Sequence, residues 1–260
     1  MGVNSIEVGL TVVKALVSLG QPSTLGEVAD AARMHPAKVR RYMVSFMRGG
    51  LIKQDPATGR YDLGPYGLDF SLAYLGRLDA HKLGAAALAP LVGAVNESAF
   101  VAVWGTHGAT VVEWQPARQP IGASTRIGTV FPLLASSTGR TFLAYLPPAE
   151  TEPFLQRELR ALARSPDEKA IKDRKDVGRI VSEVRERGLA RGIGLRMPGM
   201  NSFSAPVFDR HGAIAFTLTV FGYDESFDSK WDGAIAVHLK NTAQALSRQM
   251  GYADPAPTAE

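Results

Sequence analysis

The stretch from Thr24 to Gly50 constrains the fold more than any other part of the chain, because it packs two helix starts and two helix stops close together. Thr24-Leu25-Gly26-Glu27 is a capping box, in which the Thr hydroxyl and the Glu carboxylate satisfy N–H groups that a helix start leaves unpaired. The helix that follows carries Leu25, Val28, Ala29 and Ala32 on one face and stops near Arg33-Met34. His35 then caps another helix, with Pro36 at its first position, where a missing N–H costs nothing. Val39, Tyr42, Met43 and Phe46 form an i, i+3, i+4, i+7 stripe to be buried, and Gly49-Gly50 ends the element.

The flanks complete a known arrangement. Ile6, Leu10, Val13, Leu16 and Val17 recur at helical spacing from Ser5 to Leu19, predicting a first amphipathic helix that Gly20-Gln21-Pro22 terminates. Two short strands, Leu51 to Gln54 and Arg60 to Leu63, enclose the turn DPATG. Helix, helix, short turn, helix and hairpin make a winged helix-turn-helix over residues 1–64.

The charge on this unit is one-sided. No acidic residue lies between Asp30 and Asp55, whereas Arg33, Lys38, Arg40, Arg41, Arg48 and Lys53 all do. With Val39 at the centre of the buried face, Arg41 and Arg48 point nearly opposite and Lys38 and Arg40 flank them. A helix with cations along its exposed side is the geometry that enters a major groove, where guanidinium forks pair with guanine and any cation neutralises phosphate. Lys38, Arg40, Arg41 and Arg48, together with Lys53 and Arg60 on the wing, are the expected contacts to double-stranded DNA. The competing reading is a solvated basic helix, and it leaves the helix-turn-helix spacing and the wing idle.

After Gly64-Pro65 the pattern changes. Leu68, Leu72, Leu75 and Leu78 share a helical face, predicting a linker helix over 65–80, and a second helical run spans about Ala80 to Val95. From Ala99 the period becomes 2: Phe100 to Trp104 and Thr110 to Trp114 flank Thr106-His107-Gly108-Ala109 as a hairpin. A helix starts at Ser136 to Thr138, and a mixed-charge helical region covers Glu150 to Arg187. Leu189 to Leu195, Phe203 to Phe208 and Ala213 to Phe221 read as strands, and Lys230 to Met250 as a last helix. The expected second domain is residues 81–252, followed by a disordered tail, 253–260.

Composition narrows the chemistry. With no cysteine among 260 residues, disulfides, thiolate catalysis and Cys-ligated zinc are excluded. The five histidines lack metal-ligand spacing, and there is no G-x-S-x-G, H-E-x-x-H, Walker A or G-x-G-x-x-G pattern, so no enzyme and no cofactor is expected. LLASSTGRT ends like a phosphate loop but lacks the first glycine, and Arg140 stands where the lysine belongs. There is no apolar run long enough to span a membrane and no secretory leader, so the expected location is the cytoplasm.

These segments, in this order, resemble the IclR family of bacterial transcriptional regulators over nearly the whole chain. The resemblance rests on TLGEVADAARMHPAKVRRYM and GLIKQDPATGRYDLGP, then on ASSTGRTFLAYLP, RERGLARG and NSFSAPVFDRHGAIAFTLTVFG. It implies an α+β chain: a winged helix-turn-helix domain, a linker helix, and a GAF-like effector-binding domain built on an antiparallel sheet. It also implies a homo-oligomer, as a dimer or a dimer of dimers. Two small hydroxyl residues are common in the family where Ala37 and Lys38 stand, which makes Lys38 an added cation, while Arg41 matches the family's Arg.

In the second domain, SSTGR opens a helix whose free N–H groups and positive dipole end suit an anion. The resemblance makes this turn the site of a small organic acid effector, with Ser137, Thr138, Ser202, Thr219 and Phe221 as binding residues. It also sets Gly192 where some members that bind keto acids carry an acidic residue. Phe221 replaces a small hydroxyl residue, and with Trp104, Trp114, Met200 and Phe203 it predicts a larger, more apolar pocket for an aromatic or bulky acid. Two other classes compete: a GAF-like sensor acting only through protein partners, and an enzyme of unknown reaction.

Overall fold

The computed structural model describes residues 2–77, 79–118, 125–162, 171 and 173–253, with backbone only for 72, 74–77 and 79–81. The chain divides into two compact units, Met1–Leu78 and Asp79–Glu260.

The first unit has the expected element order: α1 (Asn4–Leu19), α2 (Leu25–Ala32), α3 (Pro36–Arg48), β1 (Ile52–Gln54), β2 (Tyr61–Leu63) and α4 (Pro65–Arg77). The capping box forms, with Glu27 N donating to Thr24 Oγ1 at 3.3 Å and Thr24 N to Glu27 Oε2 at 2.7 Å. His35 caps α3, its ring nitrogen accepting from Ala37 N at 3.3 Å. Val12, Leu16, Val28, Val39, Met43 and Ile52 make the core.

One expectation about α1 is corrected. Ile6, Leu10 and Val17 are 60%, 49% and 48% exposed, and the buried positions are Gly9, Val12, Ala15 and Leu16. Gly9 is the reason: a Cβ there would stand 3.0 Å from Phe46 and 3.3 Å from Tyr42, so the rings of α3 settle against this glycine. Of the predicted stripe only Leu16 enters the core, while Ile6, Leu10 and Val17 turn away from it.

The second unit is one antiparallel sheet ordered β5-β4-β3-β8-β7-β6, with helices against it. Its elements are α5 (Asp79–Val95), β3 (Ser98–Gly105), β4 (Gly108–Gln115), β5 (Val130–Phe131), α6 (Ser137–Tyr145), α7 (Pro148–Leu162), α8 (Arg174–Arg187), β6 (Ala190–Ile193), β7 (Met200–Phe208), β8 (Ile214–Tyr223) and α9 (Ala234–Gln249). Leu88 and Leu91 of α5 and Ile235, Leu239 and Leu246 of α9 pack on one face, against Val101, Phe203, Val207, Leu218 and Val220. Phe142 of α6 packs on the other, against Phe100, Ala102, Val111 and Phe221. α7 and α8 add Leu155 and Val177 to Leu133, Leu134 and Leu143.

The two-residue β5 is absent from the sequence reading because it is too short to show a period. The mixed-charge region is two helices, α7 and α8, with 163–170 outside the described residues. The last helix begins at Ala234, after Gly233, rather than at Lys230. Leu78 and residues 254–260, which include most of the expected tail, also lie outside the described residues, as do the side chains of Leu72 and Leu75. Among the described residues no helix is long and apolar enough to cross a membrane, and no cluster of His, Cys, Asp or Glu could hold a metal.

Candidate functional site

In the first unit, α3 presents Lys38, Arg40, Arg41 and Arg48, all exposed, on the side away from buried Val39 and Met43. No described acidic residue is paired with any of these four. The wing cations are more engaged. Lys53 Nζ lies 3.6 Å from Asp62 across the hairpin. Arg60 Nη1 donates to Pro22 O at 3.0 Å and to Glu27 Oε2 at 3.3 Å, so it braces the hairpin against the start of α2. Thr24, through its N–H and then its hydroxyl, holds the Glu27 carboxyl below its ordinary range, and the charge of Arg60 adds to this. The structure therefore places four of the six expected DNA cations on one free face and gives the other two a role in the fold.

In the second unit, all five expected effector residues line a single cavity. Strand pairing explains why. Ser202 of β7 lies opposite Phe221 of β8, and Ser204 opposite Thr219, so these side chains share the face beneath α6. The start of α6 comes down onto them: Ser137 Oγ and Ser202 Oγ are 2.8 Å apart, and Thr138 Oγ1 is 3.0 Å from Thr219 Oγ1, which donates to Ser204 Oγ at 3.0 Å. Thr141 of α6 donates to the carbonyls of Ser137 and Ser204, each at 3.0 Å, locking helix to strand.

The turn before α6 is built with equal care. Ser136 Oγ donates to Pro132 O at 2.6 Å and accepts from Gly139 N at 2.9 Å. Glu158 of α7 accepts from two successive amides, Leu133 N at 2.7 Å and Leu134 N at 2.9 Å. Gly139 has no room for a side chain, since a Cβ would lie 2.0 Å from Pro132 O. Ser137 N and Thr138 N, at the open end of the helix, have no backbone partner among the described residues. They are the groups that can meet an anion. Arg140, which holds the lysine position of the phosphate-loop-like stretch, instead donates to Leu134 O at 2.8 Å and is half-buried in the turn. Burial lowers its pKa, with Glu183 countering.

The aromatic wall differs from the expected one. Phe100 stacks on Phe131 with centroids 5.1 Å apart and planes at 6°, and Phe221 tilts against Phe100 at 5.7 Å. Met200 lines the cavity, but the other three predicted residues do not. Trp104 packs between Phe142 and Phe154 at 5.5 and 5.2 Å. Phe203 points to the opposite face of the sheet, against Phe227 and Trp231. Trp114 belongs to the core beside Phe100. Of the four residues expected to widen the pocket only Met200 walls it, and the cavity, its open side included, holds ≈ 660 Å³ of empty space. Gly192 packs against Ser202 and Ser137 of the lining, where a Cβ would come 2.6 Å from Ser202 Oγ, so a side chain here requires the Ser202 hydroxyl to move.

Phe100, Phe131 and Arg196 are among the lining residues that sequence reasoning missed. Phe100 was legible as a strand residue but carried no sign of which face it takes. Arg196 lies in the loop between β6 and β7, its guanidinium carbon 5.3 Å from the centre of the Phe131 ring.

Comparison with known proteins decides what these two units are. Residues 72–248 match the model of the bacterial transcriptional regulator IclR C-terminal domain, and residues 5–56 match that of the IclR helix-turn-helix domain. The chain belongs to the IclR family. It is 38% identical to HmgR of Pseudomonas aeruginosa, whose crystal structure superposes with a TM-score of 0.62 over 97% of this chain and 100% of that one. It is 26% identical to the regulator KipR of Bacillus subtilis over 93% of this chain and 97% of that protein. An IclR homologue from Microbacterium hydrocarbonoxydans, crystallised in complex with 4-hydroxybenzoate, shares the fold at a TM-score of 0.75 and 15% identity, covering 93% and 98% of the two chains. This IclR-family member is thus a transcriptional regulator, not an enzyme, with a DNA-binding helix-turn-helix and an effector domain.

Proposed function

We propose that this regulator reads promoter DNA through α3, works as a homo-oligomer in the cytoplasm, and responds to a small aromatic acid. In this reading residues 1–64 bind DNA, 65–80 link, and 81–252 bind the effector. Lys38, Arg40, Arg41 and Arg48 meet the duplex, with Lys53 and Arg60 reaching phosphate only at the expense of their present pairs.

The effector reading is carried by one observation: Ser137, Thr138, Ser202, Thr219 and Phe221 converge on a single cavity walled by the Phe100–Phe131 stack. The unpartnered amides of Ser137 and Thr138 suit a carboxylate, and the Phe221 and Phe131 rings suit an aromatic plane. The cavity is open on one side and holds ≈ 660 Å³ of empty space with that side included, which leaves room for a ring beside the carboxylate. The 4-hydroxybenzoate held by the Microbacterium relative supports this ligand class.

The test is calorimetry of the purified chain with benzoate, 4-hydroxybenzoate, pyruvate and glyoxylate. Saturable binding of an aromatic acid, and weaker binding of the keto acids, is the expected result. Tight binding of pyruvate with no binding of either aromatic acid overturns the effector assignment and leaves the regulator itself standing.

A further inference from the structure

The effector cavity has a second electropositive pole that the carboxylate-binding turn does not use. Arg196 stands at its mouth, exposed, and its guanidinium has no hydrogen-bond or ion-pair partner among the described residues. It rests on Phe131, which stacks on Phe100, so a cation and two rings form a continuous pile along one wall. A guanidinium within about 6 Å of a ring centroid is held by the ring's quadrupole while its N–H edge stays free to donate. No carboxylate lines the cavity among the described residues. Arg196 is the cavity's one charged lining group among those described.

The floor is different in kind. Ser137, Ser202, Thr138 and Thr219 are neutral hydroxyls bonded in pairs, and the helix amides offer partial charge only. A ligand with a single carboxylate satisfies one pole and leaves the other in water. A ligand with an oxygen group at each end satisfies both.

We infer that the effector is an aromatic acid with a second hydroxyl or carboxylate group on its ring, and that Arg196 is the residue that reads this second group. The inference rests on the aromatic-acid reading above and adds to it the substitution pattern that the pocket selects. In the competing account, the Arg196 stem merely covers Phe131 and its head is solvated, as long cationic side chains often are.

The two accounts separate in a matrix of ligands and variants. The probes are benzoate, 3- and 4-hydroxybenzoate, isophthalate and terephthalate; the proteins are wild type, Arg196→Gln and Arg196→Lys, titrated by calorimetry at two salt concentrations. Arg196 is exposed, so both variants are expected to fold, and melting curves verify it. The wild type is expected to prefer at least one doubly substituted probe over benzoate by roughly tenfold, as a charge-assisted hydrogen bond in a partly solvated site gives. Arg196→Gln should abolish that preference while changing benzoate affinity less than about twofold, and Arg196→Lys should retain the part of it that weakens with salt.

Loss of benzoate and of the doubly substituted probes to the same extent in Arg196→Gln overturns the inference, because Arg196 then holds the single carboxylate. An unchanged preference in that variant overturns it too, as does a wild type that prefers none of the substituted probes to benzoate. Failure of the wild type to bind any of the five acids is a different result, since it removes the aromatic-acid reading itself.

Discussion

Arg41 shows what one side chain can be asked to do. It stands on α3 opposite Val39, is exposed, and has no acidic partner among the described residues. Arg41→Ala removes no packing, so the melting temperature should stay within experimental error. Specific DNA affinity should fall by ~1–3 kcal/mol, the usual worth of a bidentate contact to a base. A gel-shift titration on the cognate promoter that gives wild-type affinity would remove Arg41 from the interface. Glu97 is the opposite kind of residue, buried and unhelpful. Its carboxyl lies against Gly222 and accepts from Ser226 Oγ at 3.1 Å, and burial raises its pKa above the ordinary 4.5 despite that hydrogen bond. The folded state therefore holds this proton more tightly than the unfolded chain does. The resulting stability is fully present below pH 4.5 and is lost as pH rises through the raised folded value. Glu97→Gln keeps the Ser226 contact without the charge, so it should melt higher than wild type at pH 7, the gap closing toward pH 4. A variant that melts lower than wild type at pH 7 would contradict this account.

At the scale of elements, legibility followed the length of the pattern. Helices α2 and α3 announce themselves by their caps, because a capping box and a His-Pro start are local chemistry that no tertiary contact overrides. The turn into α6 was equally readable, as Ser136 to Thr138 carry both a cap and the floor of the cavity. β5 has two residues and gave no signal, yet it brings Phe131 onto Phe100. Arg196 sits in a loop, where no period can reveal which way a side chain faces. Trp104, Trp114 and Phe203 show the limit from the other side: alternation says that a strand residue is buried, but not in which layer. Glu158 went unread because a charged residue on the helix α7 looks like a solvated one until its partners are seen. Its two oxygens hold Leu133 N and Leu134 N, fixing the turn that aims Ser137 and Thr138. Glu158→Ala should cost about 1–2 kcal/mol of stability, because two partly buried amides lose their acceptor. It should also weaken aromatic-acid binding, while Glu158→Gln, with one acceptor left, falls between. Equal effector affinity in all three proteins would show that the turn holds its shape without the clamp.

In the proposed reading two copies of the chain meet one operator, and the exposed apolar surface of the molecule offers the means. On α1, Ile6 and Leu10 face water, and on α4, Leu68 and Phe70 are 62% and 66% exposed. A small unit whose core is already closed around Val12, Val39 and Ile52 has no internal use for them. Covering such side chains removes roughly 25 cal/mol per Å² of apolar surface from water, which favours a second copy of the chain over solvent. Leu72 continues the linker pattern that begins at Leu68, one helical turn further along α4. Leu72→Glu should therefore weaken self-association and DNA binding together, since two half-sites read by one dimer lose both contacts when the dimer parts. Light scattering at micromolar concentration is expected to give a dimer or larger for the wild type and a shift toward monomer for the variant. DNA affinity of the wild type should also fall steeply with salt, in proportion to the phosphates that both copies of α3 neutralise. A monomeric wild type that binds its promoter with a salt slope equal to that of Leu72→Glu would mean that one copy suffices, and that the apolar faces of α1 and α4 serve another contact.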